Sequence, residues 1–311
     1  MTNKGTVTVL GINGHIGQHA AEAFVAAGWA VRGMGRSNKQ AIEGVAFVKG
    51  DAESVADMKA AIGDSEVVVN ALNLPYDKWF NGAMEAQTAR VIEAMGKTGK
   101  TLVYPGNIYN FAASLREVTP DAPQHPERPR GEIRVRCETM LKDAAVRGDM
   151  QVIILRAGDF FGPGKNNDWF EQGILAQKGK ISAPSELSIG HSWAYLPDLG
   201  RAFEKLAWHR KELGQFENFH FAGHFVTSGE LVAAIQKAAP TPMKVTGFPW
   251  ALMGVIGLFN PVMREVGKMH YLWQNPMRLM DARLDAILGP DFETPYDEAV
   301  AAAAKPFFVG K

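Results

Sequence analysis

Short, unbroken apolar runs recur through the first half of this chain, Val67-Val68-Val69 and Val152-Ile153-Ile154-Leu155 among them. A strand that alternates apolar and polar residues has one wet face. A run without alternation is buried on both, which is the habit of parallel strands joined by helical crossovers. The pattern predicts strands over 6–10, 29–34, 45–48, 66–70, 101–104 and 151–155. Helical spacing predicts helices between them over 15–27, 55–62, 77–96 and 131–147, with Ser54 capping the second and Gly63 ending it. The predicted class is α/β, with a doubly wound parallel sheet. Beyond Leu155 the order loosens, and Pro, Gly, Trp and Met become frequent through Trp193. A strand over 218–222 is expected to return to the sheet. Ser228 is expected to cap a helix that Pro240-Thr241-Pro242 ends. Residues 1–157, rejoined by 192–226, are assigned to the sheet domain; 158–191 and 227–311 form a smaller, interleaved C-terminal substrate lobe. No polar linker separates the two.

Gly11-Ile12-Asn13-Gly14-His15-Ile16-Gly17 lies between the first strand and a helix on which Ile16, Ala20, Ala23, Phe24 and Ala27 recur. Strand, glycine turn and helix in that order make a pyrophosphate site. The glycines permit a sharp turn and close approach, and the free amides of the helix start attract negative charge. Gly11, Asn13, Gly14, His15, Ile16 and Gly17 are therefore candidate contacts to a dinucleotide. The second strand ends at Gly35-Arg36-Ser37 with no acid to accept from the ribose hydroxyls. Arg36, helped by Ser37, suits a 2′-phosphate, so NADP is the expected cofactor and NAD the alternative. The competing reading of Arg36 is a solvated loop arginine. After the third strand, Asp51 and Ala52 suit either the adenine or a turn that opens the next helix. Ala71 and Leu72, past the fourth strand, are small enough or placed well enough to let a ribose lie against the backbone.

Composition narrows the function classes. With 33 basic and 33 acidic residues the formal charge is zero, which leaves no basic footprint for nucleic acid. The single Cys137 cannot form an internal disulfide, and a reducing, cytoplasmic setting is expected. Met1-Thr2-Asn3-Lys4-Gly5 leads straight into the first strand, leaving no room for a signal peptide. The most apolar run, 248–263, is broken by Pro249, Gly254, Gly257, Asn260 and Pro261 and is shorter than the ~20 residues of a membrane span. It reads as the lining or lid of an apolar pocket. No histidine or cysteine spacing suits a metal. Phe248, Trp250, Met253, Phe259, Met263, Met269, Tyr271, Trp273 and Met277 give the last third a composition fit for a small apolar ligand, or for an ordinary core.

The 11–17 turn, Gly50-Asp51, Leu155-Arg156-Ala157-Gly158-Asp159-Phe160-Phe161-Gly162-Pro163 and His191-Ser192-Trp193-Ala194-Tyr195-Leu196-Pro197-Asp198 carry a resemblance. The chain resembles, nearly end to end, the extended short-chain dehydrogenase/reductase superfamily in its NAD-dependent epimerase/dehydratase group. The resemblance implies a Rossmann sheet, a nicotinamide cofactor, a Tyr-x-x-x-Lys pair in the helix after the fifth strand, and a Ser or Thr just past that strand. In such a site the Tyr exchanges the carbonyl proton, while the Lys lowers its pKa and holds the nicotinamide ribose. This chain departs there. Anchored on Glu138, Arg130 takes the Tyr position and Arg134 the Lys position, and Asn107 stands for the Ser or Thr. A guanidinium keeps its charge, so neither arginine transfers a proton. Arg134 is left to hold the ribose and supply positive field. Arg130 either binds a substrate carboxylate or phosphate or, as the favoured reading, lies in solvent. Asn107 suits an oxyanion donor, and Tyr109 is the nearest replacement acid unless it only packs. His125 is expected on the surface.

The resulting expectation is an NADP-dependent oxidoreductase moving a hydride between nicotinamide and a small carbonyl or alcohol. The alternatives are an epimerase or dehydratase that retains its cofactor, and a non-catalytic NADP-binding sensor. The family often pairs through the helices at 77–96 and 131–147. The second is rich in arginine, so a monomer or weak homodimer is expected.

Overall fold

The computed structural model describes residues 4–39, 41–164 and 168–308; residues 1–3, which enter the expectation about a leader, lie outside the described residues. The first half runs β1 (Thr6–Leu10), α1 (His15–Ala26), β2 (Ala30–Gly35), β3 (Val45–Lys49), α2 (Val55–Ile62), β4 (Val67–Asn70), α3 (Ala83–Met95), β5 (Thr101–Gly106), the short β6 (Glu117–Val118), α4 (Pro129–Val146) and β7 (Gln151–Arg156). Next come β8 (Asp159–Phe161), β9 (Lys180–Ala183), β10 (Gly190–Tyr195), α5 (Leu196–Trp208), β11 (Phe216–His220), β12 (His224–Thr227) and α6 (Ser228–Ala238). The chain closes with β13 (Lys244–Gly247), α7 (Trp250–Ile256), α8 (Pro261–Lys268), α9 (Tyr271–Gln274), β14 (Arg278–Leu279), α10 (Ala282–Leu288) and α11 (Tyr296–Phe308).

Seven strands form one sheet in the order β11-β7-β5-β4-β1-β2-β3, every neighbouring pair parallel. The unbroken apolar runs are explained by their two buried faces. Val67, Val69, Ile153 and Leu155 pack with Ala20, Phe24, Ala202 and Phe203 of α1 and α5. Val68, Val152 and Ile154 pack with Met58, Val91 and Leu141 of α2, α3 and α4. The strand order reverses between β1 and β4, and such a switch point is where open α/β sheets bind ligands.

Two local expectations are corrected. The helix predicted over 77–96 begins only at Ala83, because Asn81 (φ 56°) and Gly82 (φ 77°) are left-handed and break it from a single turn at Tyr76–Lys78. Thr227, not Ser228, caps α6: its hydroxyl accepts from the Glu230 amide while the Glu230 carboxylate accepts from the Thr227 amide.

Within 192–226, α5 packs on α1 and β11 edges the large sheet. Residues 192–195 and 224–226 pair instead in a second, three-stranded sheet ordered β12-β10-β8. Its core includes Phe161, Phe170, Trp193 and Trp273 together with α6 and α11. The apolar run 248–263 folds as α7 and the first residues of α8; the two helices pack on one another, and α8 lies over the Tyr76–Lys78 turn. Met253 is buried there, while Leu252, Val255, Leu258 and Phe259 face solvent.

Candidate functional site at the switch point

Gly11 follows β1 at φ 86°, and a Cβ there would come within 2.8 Å of the Ala71 carbonyl oxygen past β4. At Gly17 a Cβ would lie 2.3 Å from the Gly11 carbonyl oxygen. Both glycines are thus demanded by the turn itself. Gly14 differs: its φ is ordinary at −84°, it is exposed, and a Cβ would meet nothing nearer than Gly11 O at 3.4 Å. What a side chain at 14 would occupy is the space in front of the helix start. Among the described residues no side chain caps that start, and its first turn holds no acid. The cradle therefore fits a pyrophosphate.

His15 turns its side chain away from the cradle. Its Nε2 bonds the Pro163 carbonyl oxygen at 2.9 Å and its Nδ1 lies 2.9 Å from Asp168 Oδ2. Burial works against a charge on His15, but the neighbouring Asp168 and the Pro163 carbonyl outweigh it and raise the pKa. Ile16 sits in the first turn beside it, part-buried against the core. Asn13 is a strut: its Nδ2 donates to the Ser37 carbonyl at 2.8 Å and its Oδ1 accepts from the Lys39 amide at 3.3 Å. Those bonds hold the loop that carries Arg36 beside the glycine turn. Gly35 makes room for them, since a Cβ there would come within 2.6 Å of Asn13 Nδ2. Arg36 and Ser37 are exposed.

Asp51 is exposed, and its Oδ1 accepts from the Glu53 amide at 3.0 Å, the local turn that leads to the Ser54 cap. The Ala52 carbonyl accepts from Arg90 Nε at 3.3 Å. Ala71 N–H bonds Leu10 O, and Leu72 N–H bonds Asn70 Oδ1, so both stand at the C-terminal edge of the β1–β4 pair.

The exit of β5 is clamped by three arginine contacts and a cap. Arg134 donates through Nη1 to the Tyr104 hydroxyl at 2.7 Å and through Nη2 to the Pro105 carbonyl. Arg156 donates to the Asn107 carbonyl and forks onto Glu138 at 3.1 and 2.7 Å. Asn107 Oδ1 accepts from the Tyr109 amide at 3.1 Å, which leaves its NH₂ as the outward donor. α4 approaches this turn so closely that a Cβ on Gly131 would sit 2.0 Å from the Tyr109 carbonyl oxygen.

Arg130 is not in solvent. It is 2% exposed, its guanidinium 3.8 Å from the centre of the Tyr76 ring and 5.1 Å from that of Trp79. It donates to the Tyr76 carbonyl and reaches Glu265 Oε2 of α8 at 3.4 Å. The solvent reading fails because the loop after β4 and helix α8, both remote in sequence, close over the start of α4. Tyr76, which sequence reasoning passed over, shares a hydroxyl–hydroxyl hydrogen bond with Tyr109. The aromatic cluster Tyr76, Trp79, Phe80 just past a strand at the switch point was the available signal. Burial pushes the Tyr76 hydroxyl up to about 12 and Tyr109 well above its ordinary range; Asp159 reinforces both shifts and Arg130 opposes them. Asp159 itself bonds His191 Nε2 at 2.8 Å, and the His191 ring stacks on Trp273 at 4.1 Å. Asn107, Tyr109 and Arg134 thus come together around one strand end. Arg36 and Asp51 stand apart from them, beyond the glycine turn. His125 is exposed.

The profile of the NAD dependent epimerase/dehydratase family matches residues 7–219. Among solved structures, UDP-glucose 4-epimerase from Brucella ovis in complex with NAD is similar at 18% identity and TM-score 0.76, over 98% of each chain. WbmH of Bordetella bronchiseptica in complex with NAD+ is similar at 21% identity and TM-score 0.70, over 97% of this chain and 98% of that one. A putative epimerase from Burkholderia cenocepacia J2315 is similar over the whole of both chains, at 16% identity and TM-score 0.76. At such identities the likeness is one of fold. No curated protein matches the sequence.

Proposed function

This chain belongs to the NAD-dependent epimerase/dehydratase family, and from that premise we propose that it is an NADP-dependent reductase of a small carbonyl compound. The observation that carries the reading is the Tyr76–Tyr109 hydroxyl pair standing beside Asn107, with Arg130, at the position the resemblance gives to the helix tyrosine, over the Tyr76 ring. Bound nicotinamide would supply the hydride. The amides of 14–17, with Gly11 and the His15 ring behind them, would hold the pyrophosphate. Asp51, Ala52, Ala71 and Leu72 would border the adenosine and ribose, and Arg134 would bring positive charge to the nicotinamide end.

The substrate carbonyl would take its proton from the phenol pair, with the Asn107 NH₂ donating to the oxygen as its charge grows. Phenols kept protonated by burial suit an acid and make poor bases, which favours reduction over oxidation of an alcohol. The same argument disfavours epimerisation by transient oxidation, which needs a base at that point. Steady-state NADPH oxidation against a panel of aldehydes, ketones and oxo acids tests the reading. Tight NADPH binding with no turnover on any member would leave the sensor reading in its place.

Arg36 supports NADP over NAD, being exposed and held beside the glycine turn by the Asn13 strut. Charge-assisted bonds to a 2′-phosphate are worth roughly 1.5–3 kcal/mol, so Arg36→Ala should weaken NADPH about 10–100-fold and leave NADH unchanged. Calorimetry with both cofactors measures this. A parallel loss for NADH would mean that Arg36 serves the loop and not the phosphate.

A further inference from the structure

Three guanidiniums are buried around the exit of β5: Arg130 at 2% exposure, Arg134 at 7% and Arg156 at 0%. Two buried carboxylates face them. Glu138 is taken up by the two-pronged bond to Arg156. Glu265 lies 2.7 Å from Lys268 and 3.8 Å from Arg264, and only 3.4 Å separates it from Arg130. Asp159 is engaged by His191. Among the described residues no carboxylate lies within ion-pair distance of Arg134, and its Nε has no hydrogen-bond partner. Arg130 Nε and Nη1 are likewise buried without partners. Burial opposes the Arg134 charge, while Tyr104, Glu138, Cys137 and Tyr109 sustain it. A buried cation without a counter-ion is costly, and an orphaned donor adds to the cost.

From this excess of buried positive charge we infer that the substrate carries an anionic group, a carboxylate beside its carbonyl, and that Arg130 with Arg134 binds it. Both arginines lie on one face of α4, a single turn apart, and both guanidiniums are within 5.8 Å of the centre of the Trp79 ring. Glu265 is the resident stand-in. Carried on α8, it sets a carboxylate against Arg130 at a distance too long for a strong bond, and an incoming carboxylate displaces it. The inference rests on reading this region as the reacting pocket. The apolar wall of Tyr76, Trp79 and Phe80 then receives the rest of a small oxo acid.

Two probe pairs test it by calorimetry on the NADPH-saturated protein: pyruvate against pyruvamide, and benzoylformate against benzoylformamide. Each pair keeps shape and removes charge. In at least one pair the oxo acid should bind roughly 10–100-fold more tightly than its amide. Glu265→Gln should tighten the oxo acid severalfold and leave the amide unchanged, whereas a merely structural glutamate would weaken both or neither. Arg130→Met should erase the difference between acid and amide. Should that variant fail to fold, the wild-type comparison and Glu265→Gln decide alone. Equal affinity within both pairs, or no binding of either oxo acid, overturns the inference. Its failure and that of the reductase reading are separable. Turnover of the amide as fast as the acid removes the anion subsite and keeps hydride transfer; tight acid binding with no NADPH oxidation does the reverse.

Discussion

Glu138→Ala is expected to destabilise the fold by about 3–5 kcal/mol, the usual cost of removing one partner from a buried ion pair. Arg156 is 0% exposed and meets Glu138 through two parallel hydrogen bonds, so no water stands ready to solvate it when the carboxylate leaves. The stranded cation could not retreat. It is held by the Asn107 carbonyl and lies 5.1 Å from the centre of the Phe111 ring. Urea denaturation checks the value, and the midpoint should fall with the slope unchanged. The double variant Glu138→Leu with Arg156→Met should recover most of the loss, because well-packed apolar groups often match a buried pair in stability. A single-variant loss under about 1 kcal/mol would mean that the pair is solvated as a surface bridge is. Function is touched as well. Arg156 holds the backbone from which the Asn107 amide and the Tyr109 phenol project, so under the proposed mechanism this pair would fix the geometry of the chemistry from behind.

The parts of this molecule that could be read from sequence are those whose cause is local. Val67-Val68-Val69 announces a strand with two buried faces because each residue must pack somewhere and the pleat sends neighbours to opposite sides. Gly11 and Gly17 are legible because backbone crowding at the turn admits nothing larger. Thr227-Ser228-Gly229-Glu230 contains a capping box in plain view, yet Ser and Thr are both good caps and only the Glu230 spacing separates them. Arg130 was beyond such reasoning. Nothing in Arg130-Gly131-Glu132 says that residues 54 positions before and 135 after will bury it; those partners meet only once the sheet is wound. The same holds for Tyr76, which belongs to no motif and matters because the turn at Tyr76–Lys78 brings its hydroxyl to that of Tyr109. Local chemistry thus marks where a cofactor would lie, while the proton donor proposed above rests on tertiary contacts.

Tyr109→Phe is expected to lower kcat for carbonyl reduction by about 10²–10⁴, the usual share of a positioned general acid. The two phenols share one hydrogen bond, so one hydroxyl donates to the other and the second is left to donate to the substrate oxygen. Removing either breaks the arrangement, and Tyr76→Phe should cost nearly as much. The double variant should cost little beyond the worse single one, since groups that act as a unit are not additive. Neither change removes a charge or opens a large cavity, so thermal stability should move little beside the loss of rate. The pH profile adds a second check. An acid must be protonated to act, so activity is present below its pKa and lost as pH rises through it. Burial holds Tyr76 up to about 12 and Tyr109 well above its ordinary value, which places the alkaline fall of kcat beyond pH ~10. A tyrosine lowered by a neighbouring lysine would lose its proton far sooner, and Arg134, at the position the resemblance gives to that lysine, is bonded to Tyr104 and not to Tyr109. An alkaline limb near neutrality, or a Phe variant that turns over normally, would take the proton donor away from this pair and hand it to bound water.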